Sequence, residues 1–395
     1  MMSKLYWIWL ATRAGCGAAF GRQMIEYFGT PEAVWRALRE EIAAVPSMTR
    51  MRQDALMDKD LTYPRRIIED CEKQEISIVT LADPNYPALL RQINSPPLLL
   101  YVRGTLPDFR TRLAVSIVGT RKATKYGLHA SRYFAGTLAQ NDCIIVSGMA
   151  LGIDGTANRA AIEAGGQTVA VLGCGVDVCY PWQHKQLMED IIRHGAVISE
   201  YPPGTEPKGR HFPVRNRIIT GLSRGTLVVE APKKSGALIS ADLALEQGRD
   251  VFAVPADINR PNSAGCNNII RKGCAELVQV PADILAYYGQ RERKKPAAAR
   301  IVPIEQRKLA APNPLAAEEQ ADAAPPVMEM RRLEGSVEER AVWCAVHDGQ
   351  YTVDAIVEST GLTASTVLTA LTMLELGVYI IRAGDGYRAA DDVEL

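Results

Sequence analysis

CIIVSGMALGIDGTANRAAIEAGGQTVAVLG, residues 143–173, holds two apolar runs, CIIVSG (143–148) and TVAVLG (168–173), joined by residues 149–167. Both runs are β-branched, nearly continuous in apolarity and bounded by Gly, the pattern of strands buried on both faces. The connection between them is long enough for a crossover helix. The unit recurs on either side. LAVSIVG (113–119) precedes it, and AVISEY (196–201), TLVVEAP (226–232) and DVFAVP (250–255) follow, with helical segments such as HKQLMEDIIRHG and GALISADLALEQG between them. This alternation predicts an α/β fold: a Rossmann-like, doubly wound, mostly parallel sheet over residues 76–290.

Outward from that block the pattern changes. Residues 1–75 read as short helices, one of them starting at Thr30-Pro31-Glu32, a capping residue followed by Pro at the first helical position. Gly15-Cys16-Gly17 reads as the turn of a SAM- or helix-hairpin-helix-like module, which either offers its amides to a DNA backbone or is a structural cap. The opening MMSKLYWIWLAT is apolar only over residues 5–11, with Arg13 close behind and no small-residue cleavage site, so it reads as structure rather than a leader. Residues 291–335 begin with RERKK and are rich in Ala and Pro (Pro296, Pro303, Pro312, Pro314, Pro325, Pro326), which predicts a disordered linker. Order returns at Ser336, where S-V-E-E forms a capping box. Further helices at 352–359 and 365–376, a turn at Gly361, and a hairpin around Gly384-Asp385-Gly386 predict a winged helix over 336–395.

The composition is that of an ordinary globular chain: 395 residues, 47% apolar and 23% charged, with 31 Gly and 23 Pro. That length suggests two to three domains. No apolar run approaches the roughly 20 residues of a membrane helix. The 8 Cys include no C-x-x-C pair, against both a disulfide scaffold and a zinc ribbon. A soluble, cytoplasmic protein is expected.

Net charge is zero, but it is unevenly spread: residues 100–290 carry 21 Lys+Arg against 16 Asp+Glu, and residues 291–395 carry 12 against 17. No acid occurs over 109–141, which holds Arg110, Arg112, Arg121, Lys122, Lys125 and Arg132. None occurs over 207–229 either, which holds Lys208, Arg210, Arg215, Arg217 and Arg224. Two acid-free basic stretches point to an anionic partner.

Ligands of a doubly wound sheet bind beyond the carboxyl ends of its strands. Here those ends carry Gly119-Thr120-Arg121, Ser147-Gly148 and Ser235-Gly236. Glycine lets a phosphate approach the backbone, and Thr120, Ser147 and Ser235 add hydroxyls, so the set suits phosphate; any one Gly alone is explained by a tight turn. The dinucleotide fingerprint and the Walker A motif are absent, and Gly173-Cys174-Gly175 is only a partial match. The five His follow neither metal-ligand nor nucleophile patterns, so no catalytic residue, metal or cofactor is assigned. Glu230 reads as a loop anchor rather than a general base. PKGRHFPVRNRIITGLS (207–223) places Lys208, Arg210, Arg215 and Arg217 before or within the first turn of an apolar helix at 218–222. With Arg121 facing it, this arm predicts one positive trough that tracks a nucleic-acid strand. His211 and Phe212 are candidates for stacking on bases, with packing favoured for Phe212.

GTRKATKYG (119–127), SGMALGID (147–154), RNRIITGLS (215–223), SGALISADLALEQG (235–248) and NSAGCNNIIRKG (262–273), in this order, resemble the DprA family (DNA processing protein A, also called Smf). The likeness spans essentially the whole chain, with Thr120 where the family usually has Ser. It implies a single-stranded DNA-binding recombination mediator rather than an enzyme. Such a protein forms a homodimer, loads RecA onto strands held by single-strand binding protein, and protects incoming DNA during natural transformation. By the same resemblance Gly119, Thr120 and Arg121 hold phosphates, Ser147 and Gly148 lie beside them, and Lys208, Arg215 and Arg217 line the trough. The competing class is a nucleotide phosphoribohydrolase of the lysine-decarboxylase-like group, whose loop G-G-x-G-T-x-x-E is here S-G-A-L-I-S-A-D, with Asp242 in place of Glu. The C-terminal module departs from a DNA reader: residues 336–395 carry 3 basic against 10 acidic side chains. Its expected partner is protein.

Overall fold

The computed structural model describes residues 2–293, 331–332, 336–349, 352–376, 379–383, 386–389 and 393–394. They fall into two compact units, Met1–Ala298 and Ala299–Leu395.

The first unit is built on a nine-stranded sheet of β1 (Ser77–Thr80), β2 (Leu99–Gly104), β3 (Ala114–Val118), β4 (Ile144–Ser147), β5 (Thr168–Val171), β6 (Gly195–Ser199), β7 (Gly225–Val228), β8 (Asp250–Ala253) and β9 (Glu276–Leu277), in the order β1-β2-β6-β5-β4-β3-β7-β8-β9. The six apolar runs are β3 to β8, all mutually parallel, and each of β3 to β7 is buried along its whole length. Two-sided burial is why these strands lack polar alternation. β1 and β2 extend the β6 edge antiparallel, through Tyr101 opposite Ser199 and Ile78 opposite Tyr101. This extension breaks the strand–helix rhythm, so the rhythm does not announce it.

The winding runs from β3 outward through β4, β5 and β6, then returns to place β7 and β8 on the other side of β3. Val115 accordingly pairs with Ile145 on one side and Gly225 on the other. Loops leaving β3 and β7 diverge there, opening a crevice at the topological switch point.

Side chains on one sheet face, among them Leu100, Ile144, Val146 and Val228, pack with Ile218 and Ile219 of the His211–Gly221 helix. The opposite face joins Val115, Ile117 and Ile145 to Phe134 and Phe252. Each fully buried Ile or Leu contributes on the order of 1.5–3 kcal/mol. The N-terminal helices form a further cluster with the sheet: Trp7, Ile8, Trp9 and Leu10 of the Met2–Thr12 helix pack with Leu172, Leu187 and Val197. Residues 2–75 are therefore packed onto the sheet rather than standing apart. Thr30 caps the Pro31–Arg36 helix by accepting from the Ala33 amide at 3.1 Å.

The Pro281–Arg293 helix carries the unit past residue 290, with Ile284 and Tyr288 buried. Of the expected linker, residues 294–330 and 333–335 lie outside the described residues, but Arg331–Arg332 pairs as a short strand with Val393–Glu394, correcting the linker's boundary. The second unit has helices Val337–His347, Val353–Thr360 and Ala364–Leu376 and a hairpin of Ile380–Ala383 with Gly386–Ala389, a winged-helix arrangement. Its core holds Val342, Trp343, Ile356, Val367 and Leu371. The capping box is formed, Ser336 accepting from the Glu339 amide and Glu339 from the Ser336 amide. Gly361, at φ +67°, ends the second helix in the left-handed conformation that glycine adopts without strain. Gly384 and Asp385 of the expected hairpin turn lie outside the described residues.

Candidate nucleic-acid interface

The helix expected at 218–222 begins at His211, seven residues earlier. This changes what its arginines do. Residues two apart on an α-helix diverge by about 200°, so Arg215 and Arg217 face opposite sides. Arg215, 4% exposed, is drawn under the strand ends, where it donates to the Gly148 carbonyl at 3.1 Å and to the Val171 carbonyl. Gly148 is needed there: a Cβ would lie 2.6 Å from both Arg215 Nη1 and Asp154 Oδ2. Arg217 turns the other way and pairs with Glu200 at 2.5 Å. The single trough containing Arg121 and both helix arginines is thereby corrected: Arg217 opens onto a second cleft and Arg215 is buried.

At the switch point lies a cleft of about 550 Å³. Its walls include Gly119, Thr120 and Arg121 after β3, Asp154 beyond β4, Phe212 and Arg215 of the helix, and Lys234, Ser235 and Gly236 beyond β7. The Arg121 guanidinium lies 5.1 Å from the Phe212 ring centre and the Arg215 guanidinium 6.0 Å. Tyr180 packs on the same ring at 5.4 Å. Phe212 thus packs, as expected, but it does so in the cleft wall, with two cations within 6.0 Å of its ring centre.

Glu230 holds the first loop. It is fully buried; its carbonyl accepts from the Thr120 amide at 2.8 Å, and its carboxylate accepts from the Thr124 amide at 2.9 Å and the Thr124 hydroxyl at 2.8 Å. With both oxygens engaged it anchors the loop that presents Arg121. Asp242 sits exposed on the Gly236–Glu246 helix.

The other sequence candidates divide. Ser235 lines the cleft and caps the Gly236–Glu246 helix, accepting from the Ala237 amide at 3.2 Å. Thr120 lines it too, accepting from the Lys122 amide at 3.2 Å. Lys122 and Arg210 are exposed and do not line the cleft. Ser147 does not reach the cleft: fully buried, its hydroxyl donates to the Ile117 carbonyl at 2.6 Å. Gly148 instead borders a small void of about 60 Å³ beside Arg121 and Phe212. Lys208 belongs to the second cleft with Arg217. Sequence reasoning passed over Tyr180, Asp154 and Lys234; for Lys234 a signal exists in the Lys233-Lys234 pair just past the β7 end.

Burial raises the Asp154 carboxyl from 3.8 to about 6, against the opposing pull of Arg215 and the amides of Gly148 and Gly119. Burial also lowers Arg215 to about 10, with Asp154 opposing and Arg121 adding to the shift. The floor of the cleft is a desolvated aspartate and arginine, and its wall carries the exposed charges of Arg121 and Lys234.

Fold and cleft together define an α/β protein with a cationic, aromatic-lined crevice at the sheet's switch point, followed by a winged helix. The chain belongs to the DNA recombination-mediator protein A family, whose model matches residues 77–289; residues 310–386 match the DprA winged helix domain. It is 34% identical to protein Smf of a Synechocystis species over 94% of this chain and 95% of that one. Among solved structures it is similar to DNA processing protein A of Streptococcus pneumoniae, at 36% identity and a TM-score of 0.63, covering 71% of this chain and 97% of that one. A structure described as giving insight into the single-stranded DNA binding mode of DNA processing protein A from Helicobacter pylori aligns at 29% identity and a TM-score of 0.50, covering 55% and 97%. No helix among the described residues is long and apolar enough to cross a membrane.

Proposed function

We propose that this recombination mediator binds single-stranded DNA without sequence preference in the switch-point cleft, by binding alone and without a catalytic step. The observation that carries the reading is the Phe212 ring in the cleft wall with the Arg121 and Arg215 guanidiniums 5.1 and 6.0 Å from its centre. Backbone phosphates need cations and unstacked bases need a flat apolar surface, and a cleft offering both grips a strand whatever its sequence. Gly119, Thr120, Arg121, Lys234, Ser235 and Gly236 meet phosphate; Arg215 supplies fixed charge beneath. The Helicobacter pylori protein's described single-stranded DNA binding supports the same reading. The protein acts as a homodimer, since two clefts on one strand raise the effective concentration of each, and it works in the cytoplasm. Its task is to protect incoming strands and to load RecA onto strands otherwise held by single-strand binding protein, as in natural transformation. Fluorescence anisotropy with labelled oligo(dT) and oligo(dA) tests it: comparable affinities are expected, both lost together in Arg121→Glu. Retention of full affinity in that variant would overturn the assignment.

A further inference from the structure

We infer that the cleft of about 700 Å³ between the N-terminal helices and the His211–Gly221 helix is a second nucleotide-binding subsite. It takes the stretch of single strand next to the one held at Arg121, and so rests on the reading above. Its walls bring together Gly17, Arg52, Tyr201, Lys208, His211 and Arg217, three cations against Glu200, the only lining carboxylate among the described residues.

Three features make this cleft suited to a nucleotide. The Tyr201 and His211 rings are stacked, with centroids 4.2 Å apart and planes 16° from parallel, a half-buried platform for a base. Arg217 is pinned by Glu200, yet its buried Nη1 finds no hydrogen-bond partner among the described residues. Arg52 donates to the Gly15 and Ser47 carbonyls at 3.1 and 2.9 Å and lies 4.2 Å over Phe20, which fixes the Gly15–Gly17 turn against this wall. The Ala18–Phe28 helix then opens onto the cleft with no side-chain cap on its first amides and no acid in its first turn.

Continuity with the first cleft comes from residues 207–217. Pro207, Gly209 and Phe212 line the switch-point cleft, while Lys208, His211, Val214 and Arg217 line the second. Both rings meet the chain at Gly173: His211 Nδ1 lies 3.0 Å from its carbonyl, and a Cβ there would lie 3.1 Å from the Phe212 ring, so the two clefts meet at this residue.

The test compares oligo(dT) of about four nucleotides, filling one cleft, with about sixteen, long enough for both. Val214→Glu puts a negative charge on an exposed second-cleft position, and Tyr201→Leu removes the platform while staying apolar. Each is expected to weaken the long oligonucleotide at least about fivefold and leave the short one unchanged, whereas Arg121→Ala weakens both. In wild type, a long oligonucleotide bearing 4-thiothymidine is expected to cross-link to Tyr201 or His211. Unchanged long-oligonucleotide binding in both second-cleft variants, or equal losses at both lengths, overturns the subsite while the first cleft stands. Failure of wild type to bind either length overturns the first reading instead.

Discussion

The Arg121 guanidinium lies 5.1 Å from the centre of the Phe212 ring, joining the loop after β3 to the helix that precedes β7 across the switch point. The contact does two things: it desolvates one face of a base-sized ring and holds an exposed cation where a phosphate would pass. Such a pairing contributes on the order of 0.5–1 kcal/mol at an exposed site. In a double-mutant cycle, Arg121→Ala and Phe212→Leu should therefore be non-additive for single-stranded DNA affinity. Additive losses would show that the two act separately.

Salt dependence follows from the same geometry. With about four phosphates neutralised, log affinity against log salt should fall with a slope near −3 for a single strand, and Arg121→Ala should flatten it by about 0.7. The change should be the same for oligo(dT) and oligo(dC). A loss confined to one sequence would make Arg121 a base reader.

Most of the sheet was legible in the sequence because strands buried on both faces show as unbroken β-branched runs, and all six runs became strands. β1, β2 and β9 were not read: no crossover helix of full length separates the first two, Ala88–Arg91 being a single turn, and β9 is only 2 residues long. The site was legible only in part. Gly119, Thr120, Arg121, Ser235 and Gly236 converge as expected because they lie at strand ends, whose destination the topology fixes. Arg215 and Arg217 part because helix phase depends on where the helix begins, and the cationic run before Ile218 hid a start at His211. Ser147 looked like a phosphate ligand, but its hydroxyl satisfies a carbonyl between β3 and β4, a choice made by packing that no local pattern reveals.

Asp154 makes the cleft pH-sensitive. Burial pushes its carboxyl up to about 6, above the ordinary 3.8, so acidification from pH 7 to 5 removes one negative charge from the cleft floor. Affinity for an anionic strand should rise severalfold over that window. The native state takes up this proton before the unfolded chain does, so the stability contributed rises as pH falls from about 6 towards 3.8 and is lost as pH climbs back through 6. His184 and His211, which meet the Met149 and Gly173 carbonyls at 2.9 and 3.0 Å, also lie near. Asp154→Asn separates them: the rise should shrink in that variant, and an undiminished rise would remove the carboxyl from the account.

Glu230→Gln replaces an oxygen that accepts from Thr124 with an amide that cannot. Leaving a buried donor unsatisfied costs about 1–3 kcal/mol. The melting temperature should fall by several degrees, and hydrogen exchange should quicken at the Thr124 amide, which loses its carboxylate acceptor, while the Thr120 amide keeps the Glu230 backbone carbonyl. Single-stranded DNA affinity should fall with it, since Arg121 is carried on that loop. Unchanged exchange at Thr124 would mean that packing alone holds the loop.

The winged helix should contribute little to gripping DNA. Its residues 336–395 hold 3 basic and 10 acidic side chains, and no Lys or Arg occurs over 341–381, which contains all of the Ala364–Leu376 helix that would enter a groove. A phosphate contact needs a cation, and a net negative module repels the strand at any distance the salt does not screen. A chain ending at residue 335 should thus bind oligo(dT) within about twofold of the full chain, with the same salt slope, and slightly tighter at low salt, where the lost repulsion counts most. A tenfold loss with a flatter slope would show that Arg340, Arg382 or Arg388 reaches phosphate after all, and that the acidic surface faces away from the bound strand.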